Sequence, residues 1–419
     1  MKVLHIITGL EVGGAEQQLR LMLRRLPVSC EVITLTDPGP VAKGIEADGT
    51  PVTHLGMTGN RDLTALPRLA RLIRNGNYDL VHTHLYRACV YGRIAARLAG
   101  VRTVVATEHS LGDAVIEGRR LTRGVRELYR ATERLGAATV AVSDTVAARL
   151  VRWGVPEQRI YVVPNGIEAH RFAFDADART ATRSRLGLPP DAFVVGGVGR
   201  LVPGKRFDVL VRAVTQMSGV HLLLAGEGPE RDTLRRTAEQ FGAGDRIHLL
   251  GQRGGAVSPS SPAAGPGEDL DIPDLLSAMD VFVSPSADEA FGLAVLEALA
   301  AGLHVLHGSC PAVDELPADQ APGAHRFRAG AYELSTALRE LRRTGPGRLP
   351  VPPVVEHYDI ARSAEALMAV YQQALAGPVV SAAGSGSTVS AARSPESYSS
   401  NVSLPDPSPS PSDQSLSKR

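Results

Sequence analysis

Twice along this chain, short apolar runs bounded by turn residues alternate with longer segments of helical period, and few folds accept that pattern. The first series is Val3–Ile7, Cys30–Leu35, Val52–Leu55, Leu80–Thr83, Val104–Thr107, Thr139–Val142 and Tyr161–Val163. It restarts with Val194–Val198, His221–Leu224, Ile247–Leu250, Val281–Val283 and Val305–Leu306. Strands that are apolar throughout and separated by helices predict parallel sheets covered on both faces. At 419 residues the chain also exceeds one typical core. The expectation is therefore α/β: two Rossmann-like, doubly wound domains over residues 1–168 and 190–350, facing a central cleft. Residues 169–189, polar and closed by Pro189-Pro190, read as the linker, and residues 356–376 hold a last helix. Residues 254–269 read as an exposed Gly/Pro/Ser loop, and the Ser/Pro-rich tail 377–419 has too few apolar residues to offset ordering entropy, so it is expected to be disordered.

Composition narrows the function. Hydrophobic residues make up 43% but aromatics only 4%, so the core must be aliphatic. No run of 18 apolar residues exists, so nothing is expected to span a bilayer. The chain enters its first strand at Lys2 without a signal-peptide pattern, which predicts a cytoplasmic protein. Cys30, Cys89 and Cys310 lack metal-ligand spacing and read as reduced thiols. A net charge of +1 removes the bulk argument for nucleic acid. Residues 1–170 are nonetheless basic and residues 171–419 acidic, which favours an anionic partner for the first half. Arg119–Arg134 concentrates this, with six arginines against two glutamates. Leu121, Val125, Leu128 and Thr132 form an apolar stripe there; the segment suits either a peripheral membrane contact or a solvated face.

Three glycine turns follow strand candidates. Gly13-Gly14 leads from the first strand into a helix whose free N–H groups suit a phosphate. Gly199-Arg200-Leu-Val-Pro-Gly-Lys205 sets two cations on one turn, as a departing diphosphate would need. Glu289 and Glu297 flank Phe291-Gly292-Leu293, and a helix is expected from Ala290 to Ala301. Eight residues advance a helix by about 800°, so both carboxylates would face one way, about 12 Å apart. His109 follows the strand Val104–Thr107, and His82 and His84 share one face of theirs, suited to a cleft or to core packing. Asp175/Asp177 and Asp269/Asp271 end no strand, so no metal site is assigned.

The Glu-x7-Glu segment resembles the signature of family 4 retaining glycosyltransferases, which have the GT-B fold. Gly13-Gly-Ala-Glu16, Thr107-Glu-His-Ser110, Val163-Pro-Asn-Gly-Ile167, Gly199–Lys205 and Ala225-Gly-Glu-Gly-Pro229 stand before it in the family's order, across most of residues 1–375. The resemblance implies hexose transfer from a nucleotide-diphosphate sugar to an acceptor sugar, lipid-linked sugar or small molecule, with the anomeric configuration retained and no metal or other cofactor. Polysaccharide, cell-envelope or glycolipid synthesis is the expected setting. By the same resemblance His109 meets the donor hexose, and Glu289 its hydroxyls. Arg200, Lys205, Gly14 and the amides of Phe291, Gly292 and Leu293 meet the diphosphate. Glu297 meets the ribose, Gln252 and Arg253 lie near the nucleobase, and the last helix crosses back to brace the first domain. Pro311-Ala312 stands where the family has paired glycines. That departure keeps a non-catalytic homologue open as an alternative, and a GT-B nucleotide-sugar epimerase is a third.

Overall fold

The structure, a computed structural model, describes residues 1–59, 62–112, 115–116, 119–253, 270–328, 330–345 and 347–377. The expected loop 254–269 and the tail beyond Gly377 lie outside the described residues.

Two parallel sheets carry the chain. In spatial order the first holds Val52–His54, Ser29–Thr34, Lys2–Ile7, Leu80–His84, Val104–Glu108, Ala138–Ala141 and Ile160–Val162. The second holds Ile247–Gly251, Val220–Ala225, Phe193–Val198, Val281–Ser284, His304–His307 and Ala324–Arg326. In each, the opening strand is interior and strand order reverses beside it. Such a switch point opens a crevice at the carboxyl ends of the two strands flanking it. In the first sheet those ends are Ile7 and His84, in register with each other. In the second they lead to Gly199 on one side and to Pro285 and Glu289 on the other.

Aliphatic side chains fill both sheets, as the small aromatic content requires. Val195, Leu222, Leu224, Val281 and Val283 are all 0% exposed. The segment 169–189, read as a linker, holds the helix Ala176–Arg185, and Arg179 and Arg183 bind Asp280 at 2.6 and 2.9 Å beside the second sheet. After that sheet, the helix Ile360–Ala376 lies on the first. Ile360, Ala364, Leu367, Val370 and Tyr371 pack with Val3, Leu80, Val105 and Val140, and Gly166 leaves no room for a Cβ against Ile360.

The basic segment folds differently from its sequence pattern. The helix Arg123–Glu133 turns Tyr129, not Leu128, into the core, where Tyr129 meets Trp153 edge-on. Leu128 is left 47% exposed. A one-position rotation thus spends the apolar face on the protein interior.

Candidate nucleotide-sugar site

The largest correction concerns the two glutamates. The helix begins at Leu293, not Ala290, because Gly292 adopts φ 112° and breaks the helical path. A side chain there would meet Cys310 Sγ, so glycine is required twice over. Glu289 therefore stands on the approach loop and only Glu297 rides the helix. The shared-face argument fails, although both residues still flank the helix start.

That start is open. No main-chain N–H of Phe291, Gly292, Leu293 or Ala294 is engaged among the described residues. Free donors at a helix N-terminus, with the helix dipole behind them, favour an anion. Facing it is the first turn of the helix Gly14–Leu23; a Cβ on Gly14 would lie 3.5 Å from Leu293 Cδ1. Glu16 folds its carboxylate back over Gly13. Gln252 also spans the halves, donating to the Val12 carbonyl at 3.3 Å. The glycine-led helix starts of the two sheets thus meet.

Charges line this junction. Lys205 Nζ lies 2.5 Å from Glu289 Oε1, both side chains mostly shielded. Arg200 is exposed on the turn after Val198, and its guanidinium has no protein partner among the described residues. The Glu297 carboxyl makes no hydrogen bond among them either. Burial raises its carboxyl from 4.5 to about 7, with Arg171 pulling the other way.

His109 follows the strand Val104–Glu108 with its Nε2 3.1 Å from His84 Nδ1. His82 and His84 are buried, and both line a cavity with His109, Gln18, Thr107 and Asn165 under the last helix. Arg253 donates to the Leu250 carbonyl near the end of the strand that precedes it. The Asp-x-Asp triplets have local uses: Asp175 caps Asp177 and Ala178, and Asp271 forms a capping box with Asp274. Asp269 lies outside the described residues.

The Pro311-Ala312 departure has a structural counterpart. Proline lacks an N–H, and Ala312 N–H is spent on the Phe291 carbonyl at 3.0 Å. Cys310 N–H goes to Asp314 Oδ2 at 2.9 Å.

Sequence reasoning missed the residues that clasp the two halves. Arg149, 7% exposed, donates to the Leu111 carbonyl at 2.8 Å and to Asp288 Oδ1 at 2.5 Å. It thereby ties the loop of His109 to the loop of Glu289. Ser143 Oγ donates to the Ala290 carbonyl at 2.7 Å. Glu315 accepts the N–H groups of Asp144 and Thr145 at 3.0 and 2.7 Å, covering the N-terminus of the helix Asp144–Trp153. Only Ser143, a helix cap followed by Asp144, carried a local signal, and nothing in it pointed across the chain.

Two doubly wound sheets whose switch points meet over free helix donors, beside Arg200 and the Lys205–Glu289 pair, define a two-domain α/β class with an anion-favouring seam. Residues 12–171 match the description "Glycosyltransferase Family 4", and residues 192–342 match "Glycosyl transferases group 1". The chain belongs to glycosyltransferase family 4 and has the GT-B fold. It is 31% identical over 331 residues to a D-inositol 3-phosphate glycosyltransferase of Streptomyces bingchenggensis, covering 73% of this chain and 68% of that one. It is also 31% identical over 255 residues to the Escherichia coli UDP-Gal:alpha-D-GlcNAc-diphosphoundecaprenol alpha-1,3-galactosyltransferase, covering 58% of this chain. The match spans 61% of that enzyme's length, less than two thirds of it. Anabaena HepE in complex with UDP and glucose superposes with a TM-score of 0.75 at 21% identity, over 89% of this chain and 99% of that one. Among the described residues no helix is long and apolar enough to cross a membrane.

Proposed function

We propose that this protein transfers a hexose from a nucleotide-diphosphate sugar to an acceptor hydroxyl, with retention at the anomeric carbon. The observation that carries the reading is the meeting of two glycine-led helix starts, one with its donors free, beside Arg200 and the Lys205–Glu289 pair. A diphosphate accepts from free N–H groups and attracts both cations. Charge then grows on its leaving oxygen, where preorganised donors act most strongly. Lys205 and Glu289 hold each other until the donor enters; the cation then turns to phosphate and the carboxylate to sugar hydroxyls. Glu297, whose half-buried carboxyl has no hydrogen-bond partner among the described residues, suits the ribose hydroxyls.

In the proposed reaction the bond from the anomeric carbon to the leaving phosphate oxygen breaks, and a bond to the acceptor oxygen forms on the same face. The acceptor's proton passes to the departing phosphate oxygen. Two protein cations serve where another enzyme would use a divalent ion, so activity should survive chelators. Relatives act on a lipid-diphosphate-linked sugar or on inositol phosphate, and a phosphorylated or lipid-linked acceptor matches the basic first half. A peripheral membrane contact through Arg119–Arg134 would be electrostatic, since Tyr129 has turned that helix's apolar face inward. A second reading, binding without turnover, draws on the spent Ala312 N–H.

The test is a panel of nucleotide sugars with and without acceptors, in EDTA, followed by product NMR. Retained-configuration product supports the proposal. Saturable nucleotide-sugar binding with no hydrolysis or transfer supports the second reading, and an epimerised nucleotide sugar would overturn both.

A further inference from the structure

Three histidines form one hydrogen-bonded line into the first sheet. His109 Nε2 lies 3.1 Å from His84 Nδ1, and His84 Nε2 lies 3.0 Å from His5 Nδ1. The rings stack in sequence, with centroids 5.4 and 5.3 Å apart. His5 is fully buried on the opening strand, His84 ends its parallel neighbour, and His109 follows the next strand out. The two outer nitrogens, His5 Nε2 and His109 Nδ1, are buried and find no protein partner among the described residues.

Nitrogens of His5, His82 and His84 also lie within 4.8 Å of one another, the spacing of a metal-binding group. Hydrogen bonding accounts for them better. His82 has both nitrogens committed, to Tyr371 Oη at 2.6 Å and Thr107 Oγ1 at 2.7 Å.

Burial drives His5 down to about 3, His109 to about 4 and His84 well below its usual range, so all three rings are neutral at physiological pH. Each then carries one proton, and only two arrangements complete both hydrogen bonds. Either every ring is protonated at Nδ1, leaving an N–H at the His109 end, or every ring is protonated at Nε2, leaving an N–H at the His5 end. A buried N–H without an acceptor is the rarer and costlier orphan. Both end nitrogens are covered, but His5 is wholly enclosed in the sheet interior, whereas the His109 ring is half-buried at the strand's carboxyl end, so only there could an incoming acceptor be brought to the N–H.

We propose that His84, backed by His5, is a positioning residue that fixes His109 as its Nδ1–H tautomer, so that His109 offers the donor hexose a hydrogen-bond donor. The ligand half of this statement rests on the proposed role of His109 at the sugar; the tautomer half does not. Reversing the chain would turn the same nitrogen into an acceptor.

Long-range imidazole NMR on the full chain, free of ligand and labelled at histidine nitrogen, tests the tautomer directly. All three rings should show a protonated Nδ1 and a bare Nε2. A protonated Nε2 on any of the three, or stoichiometric metal in the purified protein, would overturn the proposal. Replacing His84 with leucine should let His109 mix both tautomers and lower kcat/KM about tenfold, the worth of one neutral hydrogen bond at its upper end. His84→Asn, whose amide can still donate to His109 Nε2, should restore both. Mixed tautomers in His84→Leu with unchanged turnover would uphold the chain and remove His109 from sugar contact. A single Nδ1–H tautomer persisting there would refute the positioning role even if activity fell.

Discussion

Replacing Glu297 with glutamine should change how stability depends on pH, and the size of the change follows from its surroundings. Folding moves this carboxyl off the water side of the chain and raises it from 4.5 to about 7. Between those values the folded protein keeps a proton that the unfolded chain has lost. Stability contributed by Glu297 is therefore full below about pH 4, falls as pH rises through 4.5 to 7, and is gone above about 8. A shift of about 2.5 units is worth about 3.4 kcal/mol in all, and about 2 kcal/mol of this falls between pH 5.5 and 8.5. Glu297 keeps some solvent contact, so these are upper bounds. Glutamine cannot titrate. The melting-temperature difference between Glu297→Gln and wild type should thus move in the variant's favour on going from pH 5.5 to 8.5, by on the order of 3 °C. Other titrating groups cancel in the comparison. Nucleotide diphosphate affinity should fall in the variant at pH 8.5, where Glu297 is ionised, since an amide accepts less well than a carboxylate from two hydroxyls, and should change much less at pH 5.5, where the wild-type carboxyl is mostly protonated. Melting curves that shift in parallel with pH would show that Glu297 is ionised and hydrated in the folded protein, and the reasoning would fail.

Arg200→Ala and Lys205→Ala should each lower kcat/KM at least tenfold, or about 1.4 kcal/mol of transition-state stabilisation; both should melt near wild type, and unchanged turnover in either would remove it from the diphosphate. Glu315→Ala strips the carboxylate from two helix N–H groups across the halves. Small-angle scattering should then give a larger radius of gyration without ligand, and an unchanged value would mean that Arg149–Asp288 and Ser143 suffice. Gly292→Ala should cost more than about 1 kcal/mol, because φ 112° and Cys310 Sγ both oppose a Cβ. Wild-type stability there would show that the turn can relax.

Much of the architecture was legible because parallel strands buried on two faces must read as continuous apolar runs, and these do. The site's glycine turns were legible for a related reason: Gly14 and Gly292 mark places where another element comes close, and no other residue fits Gly292. The position of Glu289 was not, since a helix-favouring run such as Ala290 to Ala301 gives no sign that one glycine will enter the left-handed region. Leu128 and Tyr129 were misjudged by one residue. Both are large and apolar, and only Trp153 and Tyr86, distant in sequence, decide which turns inward. Arg149, Asp288 and Glu315 were invisible because their partners lie 139 to 171 residues away.

The returning helix Ile360–Ala376 also sets an order of events during synthesis. Val3, Leu80, Val105 and Val140 lie on a face whose cover includes Leu367, Val370 and Tyr371. The ribosome delivers that cover only after the whole second sheet has emerged. The first half must wait, its sheet partly uncovered, while the second sheet already has every strand it needs. Chains usually fold from the N-terminus forward; here the half made first is the half completed last. A nascent chain stalled before residue 360 would therefore present an apolar face to chaperones, and release of the seventeen residues of that helix would close it.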